Sequence, residues 1–360
     1  MILLAALILA LTGCVLPTQA VDLEGQLWEQ MGTSALEDAA DGTFSVKEGT
    51  NLQKGLGVLA SQASEQVDAV LHSAFRSAGF MLLVVLFCGV GSTLFQSGQS
   101  AMTRTADLIG VTVITLVAVS DTASMLGLGR EAIDQIDAFS KVLIPTMATA
   151  TAACGSVTGA VVRQAATLLF SDLLITLINR VLIPLVYLYI AVTAATAALG
   201  SKGIAAIAGF MKKGVKGVMT AILLVFTGYL TLSGAAAGAA DATALKATRM
   251  AISSMVPVVG GILSDATETV LTGASAIRSG IGIFGTLVIL GFCVVPFLYL
   301  GVQYLVYKLV AMLASVLYQG TISDLIDQIG AAFGLVLGML GSCALLVLLS
   351  LIGTISVAMT

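Results

Sequence analysis

The sequence predicts an all-α fold, a polytopic helical membrane protein of about seven or eight spans. Three observations carry that reading. Of 360 residues, 58% are hydrophobic and 10% are charged, where a soluble domain needs about 25% charged residues to cover its surface. The mean hydropathy is +1.04, so lipid is the solvent for most of the chain. Glycine is abundant (38) and proline scarce (5), as suits helices whose small side chains let backbones approach closely.

The same composition excludes several classes of function. A net charge of -4 with no basic stripe argues against nucleic acid as a partner. The five cysteines, Cys14, Cys88, Cys154, Cys293 and Cys343, are scattered. They form neither a zinc pattern nor a disulfide framework. The sole histidine, His72, leaves no Ser/His/Asp set, and no Walker loop is present. No catalytic residue, metal ligand or cofactor site is therefore expected.

Residues 1–20 read as a signal peptide, with an apolar run from Ile2 to Leu11 too short to span well. Two processing readings stand. Leu11-Thr12-Gly13-Cys14 resembles a lipobox, which would leave a lipidated Cys14; Thr18-Gln19-Ala20 suits ordinary cleavage before Val21. Either places residues 21–77 outside the cytoplasm. That segment is acidic, with Asp22, Glu24, Glu29, Glu37, Asp38, Asp41, Glu48, Glu65 and Asp68 against Lys47, Lys54 and Arg76. Leu23, Leu27, Met31 and Ala35 suggest a first amphipathic helix, and Asp41 to Gly57 reads as a loop. Val67, Val70, Leu71, Ala74 and Phe75 follow the spacing of a second helix face, with His72 on its polar side.

Residues 78–360 form the membrane domain. Ala78 to Phe95 is the first span and Asp107 to Leu128 the second, with Asp121 towards one end. From Arg130 to Val142, Ile133, Ile136 and Phe139 oppose Glu131, Asp134, Asp137 and Lys141. This predicts an interfacial or loop helix. Val142 to Val162 is apolar, with Pro145 near its start. Gln164 to Leu199 is too long for one simple span and is interrupted by Asn179-Arg180 and Pro184. It either turns there or is one broken helix.

Lys202 to Gly217 sets Ile204, Ile207, Met211 and Val215 against Lys202, Lys212, Lys213 and Lys216. By the positive-inside rule this is the best cytoplasmic candidate. Val218 to Ala239 spans again. Ile283 to Val302 and Gln303 to Tyr318 are apolar, and Thr321 to Gly330 sets Asp324 and Asp327 against Ile322, Leu325 and Ile329. Phe333 to Met359 is the last span.

A shift of 112 residues superposes Pro145 on Pro257 and Pro184 on Pro296. This suggests an internal repeat, residues 142–240 and 254–352, with Pro145, Pro184 and Pro296 as helix-breaking positions. Duplicated halves with broken helices mark transporter-like folds, although short apolar matches also arise by chance in such a chain.

Ionisable groups within spans suggest function by default. Asp172, Asn179 and Arg180 share a broad helical face and form a candidate polar pathway or intramembrane pair. If the chain turns there, Arg180 instead reaches a headgroup. Lys308 either pairs with a buried carboxylate or snorkels to the interface.

The run Pro257-Val258-Val259-Gly260-Gly261-Ile262-Leu263-Ser264-Asp265-Ala266, continuing through Glu268 to Arg278, resembles the signature segment of the stage III sporulation protein AE family of endospore-forming bacteria. The chain resembles that family in plan as well. Physically, Pro257 and Gly260-Gly261 would suit a re-entrant or interfacial hairpin, or an ordinary loop, with Ser264 or Asp265 capping the next helix. The resemblance implies a non-enzymatic subunit of the sporulation channel complex between mother cell and forespore. It also implies partners in other membrane proteins of that complex, including its ATPase and ring-forming components, and a place in the mother-cell membrane surrounding the forespore. An autonomous secondary transporter of a small solute is the alternative. A lipid-anchored sensor is a weaker third, because residues 21–76 are short for a sensory domain.

Overall fold

A computed structural model describes residue 40 and residues 52–94, 100–154, 157–255, 260–317 and 321–356. The signal peptide, most of the acidic segment before Leu52, and Pro257 lie outside the described residues. Among the described residues every element is helical: α1 (Leu52–Leu94), α2 (Ser100–Ala153), α3 (Val157–Leu177), a π-helical turn (Ile178–Leu182), α4 (Ile183–Leu199), α5 (Lys202–Met255), α6 (Gly260–Leu317) and α7 (Thr321–Ser356).

Counting α3 through α4 as one, six helices among the described residues are long and apolar enough to cross a membrane. The expected seven or eight arose from splitting helices that do not split. The second span, the amphipathic stretch at 130–142 and the apolar stretch after it are one helix of 54 residues. Ile283 to Tyr318 likewise belongs to α6, up to Leu317. Charges alone do not end a helix. Ile133, Ile136 and Phe139 bury against the bundle while Glu131, Asp134 and Lys141 point outward on the same uninterrupted cylinder.

The proline expectations need the same correction. Pro145 and Pro296 sit inside α2 and α6, which continue through them. A proline removes one backbone bond, and packing on neighbouring helices holds the rest of the cylinder in membrane proteins. Pro184 does alter the helix without breaking it. Its missing N–H would have bonded the Arg180 carbonyl; the chain widens there instead, with the Ile183 N–H bonding Ile178 O in π fashion. Residues 164–199 are thus a single helix with a local fault, and no turn occurs at Asn179-Arg180.

Two helices extend across the segment limits read from the sequence. α1 runs unbroken through the boundary expected at 77/78 and begins at Leu52, within the expected loop. α6 begins at Gly260. Gly260, Gly261, Ser264, Asp265 and Glu268 therefore all lie within helical backbone. The proposed repeat is not matched by the helix ends either. The turn at Gly200-Ser201, shifted by 112, falls at Met312-Leu313 inside α6.

That turn has a clear cause. Gly200 has φ 67°, the left-handed conformation that side chains resist, and its N–H caps α4 on Thr196 O at 2.8 Å. α7 carries Asp324 in its first turn, favourable to the helix dipole.

α7 and α6 form the centre. Of their apolar windows 61% and 50% is buried, against 17% for α5 at the periphery. α6 runs antiparallel to α2: Asp121 meets Gln303 and Tyr307, and Phe139, further along, packs on Phe292 and Phe284 with ring centroids 5.9 and 6.3 Å apart. Gly330 lets α7 lie close against α6, because a Cβ there would stand 3.0 Å from Tyr307 Cβ. Hydroxyls tie α7 to the first half of the bundle. Thr167 Oγ1 and Ser350 Oγ are 2.6 Å apart, and Tyr189 donates to Gln328 O at 3.1 Å.

Candidate functional site

The polar groups of the bundle gather in four places. The first is between α2 and α6. Tyr307 Oη and Gln303 Nε2 both donate to Asp121 Oδ2, at 2.9 and 3.2 Å. Tyr307 and Gln303 are buried, one helical turn apart, so both reach the same carboxylate. No ion pair involving Asp121 occurs among the described residues.

The second lies one residue further along α6. Lys308 Nζ contacts Asp327 Oδ1 of α7 at 2.5 Å, the side chains being 31% and 48% exposed. Of the two readings of Lys308, pairing is the one observed, though with a half-exposed carboxylate and not a buried one. The ammonium also lies 6.0 Å from the Tyr304 ring centroid, within cation–π range.

The third is an outward belt on α2 and α3. Arg130, Glu131, Asp134 and Lys141 are exposed on α2, Asp172 on α3, and Arg180 in the π-helical turn that follows it. Asn179 Nδ2 donates to Asp134 Oδ1 at 3.1 Å. Lys141 pairs with Asp137 at 2.7 Å and Arg130 with Asp134 at 3.9 Å. No ion pair joins Asp172 to Arg180 among the described residues, because two helical turns separate them. Of the residues the sequence brought together, Asn179 bonds across to α2, Asp172 and Arg180 face outward, and Lys308 belongs to a different pair of helices.

The belt is unusual because of what stands opposite. Asp172 acts electrostatically on Lys141, and Phe170, two residues away, packs at a tilt on Phe226 of α5 with ring centroids 5.3 Å apart. At that same level α5 exposes Leu224 and Val225. At that level α5 therefore presents apolar side chains, whereas α2 presents the charged Lys141.

The fourth place is the α6 end of the signature segment. Arg278 is 1% exposed, and its Nε and one terminal nitrogen find no hydrogen-bond partner. It lies close enough to Cys154, just past the C-terminus of α2, to act on that thiol electrostatically. A helix C-terminus favours a cation, which accounts for part of its placement. Among the described residues, Cys88, Cys154, Cys293 and Cys343 form no disulfide.

Sequence reasoning places Gln303 one turn from Tyr307 but misses that Asp121 meets them. The i, i+4 spacing of Gln303 and Tyr307 was the available signal. It gives no indication of a carboxylate some 180 positions away.

These features define a class: a polytopic α-helical membrane protein whose polar groups serve contacts between helices and an outward charged face. Comparison with known proteins is specific. The family model described as Stage III sporulation protein AE matches residues 50–359, and the chain belongs to that family. It is 23% identical over 276 residues to the Stage III sporulation protein AE of Bacillus subtilis (strain 168), a match covering 76% of this chain and 69% of that protein. No solved structure matches the chain.

Proposed function

We propose that this chain is a non-enzymatic integral membrane subunit of a sporulation channel complex between mother cell and forespore. It sits in the mother-cell membrane around the forespore and supports forespore gene expression and spore formation. Its family membership supports the sporulation role.

The observation that carries the subunit reading is the outward belt on α2 and α3. Charges facing hydrocarbon are costly, so within spans they face protein or water. At the level where Leu224 and Val225 of α5 suit lipid, Lys141 and Asp172 do not. A subunit packed beside other membrane proteins, or lining an aqueous path with them, resolves this; a lone protein ringed by lipid does not. The expected partners are the other membrane proteins of the complex, its ATPase and its ring-forming components.

Deletion of the gene, with a forespore-specific reporter read after engulfment, tests the reading. Growth should be normal and the reporter should fail only after engulfment. Normal reporter activity and normal spores would sink the proposal. The buried Asp121 cluster favours one second reading, an autonomous transporter. That protein would move a solute into liposomes when purified alone, which a channel subunit would not.

A further inference from the structure

A cleft of about 240 Å³ opens between α1, α2 and α6. At roughly 30 Å³ per water, it has room for a small organic group. Gln62, Glu131, Gln135, Phe292 and Pro296 are among its lining residues. No function derived so far uses it.

Its charge is one-sided, while the amides of Gln62 and Gln135 both donate and accept. Gln62 Oε1 is buried without a hydrogen-bond partner. Pro296 has no N–H, so the Phe292 carbonyl lacks its usual helical donor. Glu131 is exposed at the mouth, forms no ion pair among the described residues, and as a carboxylate only accepts. It is the one charged residue among those lining the cleft; no Lys, Arg or His joins it. The Phe292 ring adds a surface that attracts cations. An unpartnered amide oxygen, the carbonyl opposite Pro296, a single negative charge and an aromatic ring favour a ligand that is positive and donates hydrogen bonds.

We infer that this cleft binds a primary ammonium group, its N–H donors directed to Glu131, the Gln62 amide oxygen and the carbonyl freed by Pro296. The ammonium belongs either to a free amine or to an aminophospholipid headgroup. The proline inside α6 thereby has a role beyond shape, because it leaves an acceptor where the ligand needs one. The inference stands apart from the sporulation role and is read on purified protein, so either can fail alone.

The test uses the full chain in detergent and in nanodiscs. Ethanolammonium chloride is titrated against sodium chloride at matched ionic strength, with calorimetry and thermal unfolding as readouts. Native mass spectrometry compares retention of phosphatidylethanolamine with phosphatidylglycerol. Saturable ethanolammonium binding identifies a free-amine site; selective phosphatidylethanolamine retention identifies a headgroup site. Either result should weaken about tenfold in Glu131→Gln and severalfold in Gln62→Leu. Glu131 is exposed, so its variant should keep the ligand-free Tm. Tetramethylammonium, which has the charge without N–H donors, should bind more weakly. Absence of both binding modes, or binding undiminished in Glu131→Gln, would overturn the inference.

Discussion

Asp121 accepts two hydrogen bonds on one carboxylate oxygen, both from side chains that are themselves buried. In a bundle interior such a group is expensive to leave partly satisfied. Tyr307→Phe should therefore destabilise the protein by about 1–3 kcal/mol, read as thermal unfolding in detergent. Asp121→Asn keeps an acceptor and should cost less. The double-mutant cycle between Tyr307→Phe and Asp121→Ala should show coupling of at least ~0.5 kcal/mol. Additive losses would mean that the bond contributes nothing. Lys308 and Asp327 form a different kind of contact. Both are partly exposed, so in water their pair would contribute only ~0–1 kcal/mol. Its value here is to fix the register of α6 on α7, one residue beyond Tyr307.

At the scale of elements, helices associate in lipid through close packing and interhelical hydrogen bonds instead of through the hydrophobic effect. The α6–α7 contact at Gly330 depends on such closeness. Gly330→Ala places a methyl against Tyr307 Cβ, near the α6 backbone, which cannot swing away. A loss of about 1–3 kcal/mol is expected; a variant with unchanged Tm would show that the helices separate at no cost. Phe139 tests the other side of α6. Removing its ring in Phe139→Ala leaves a void against Phe284 and Phe292 and should cost about 3–5 kcal/mol. The elements also show how much was legible. The buried sides of α2 at Ile133, Ile136 and Phe139, and of α7 at Ile322, Leu325 and Ile329, follow directly from helical spacing. The basic side of α5 was likewise readable, though its buried stripe runs through Ala208, Met211, Val215, Met219 and Phe226 while Ile207 is exposed. Helix ends were less legible, because a proline or a charge cluster ends a helix only when the surroundings fail to support continuation.

At the scale of the whole molecule, the bundle presents two unlike sides. α5 exposes Phe210, Leu224, Val225 and Leu232, while α2 beyond Val119 exposes no large hydrophobic side chain. Single cysteines placed in a cysteine-free background at Gln135 or Ala138 should react with a membrane-impermeant maleimide, or become protected when the partner proteins are present. Cysteines at Leu224 or Leu232 should stay unreactive in both cases. Equal reactivity at all four positions would remove the distinction between the sides, and with it the physical argument for a subunit.

The sequence by itself determined the class of molecule, the family resemblance, and which face of most helices turns inward. Those properties follow from composition and from a 3.6-residue period, both of which are local. Only the tertiary structure decided that Pro145 and Pro296 lie within continuous helices, and that Asn179 answers Asp134 while Asp172 and Arg180 face outward. It alone brought Asp121 to Gln303 and Tyr307, and Lys308 to Asp327. Whether a freed backbone group or an intramembrane charge is tolerated depends on which neighbour stands beside it. That neighbour comes from another helix, at a distance along the chain that no local pattern encodes.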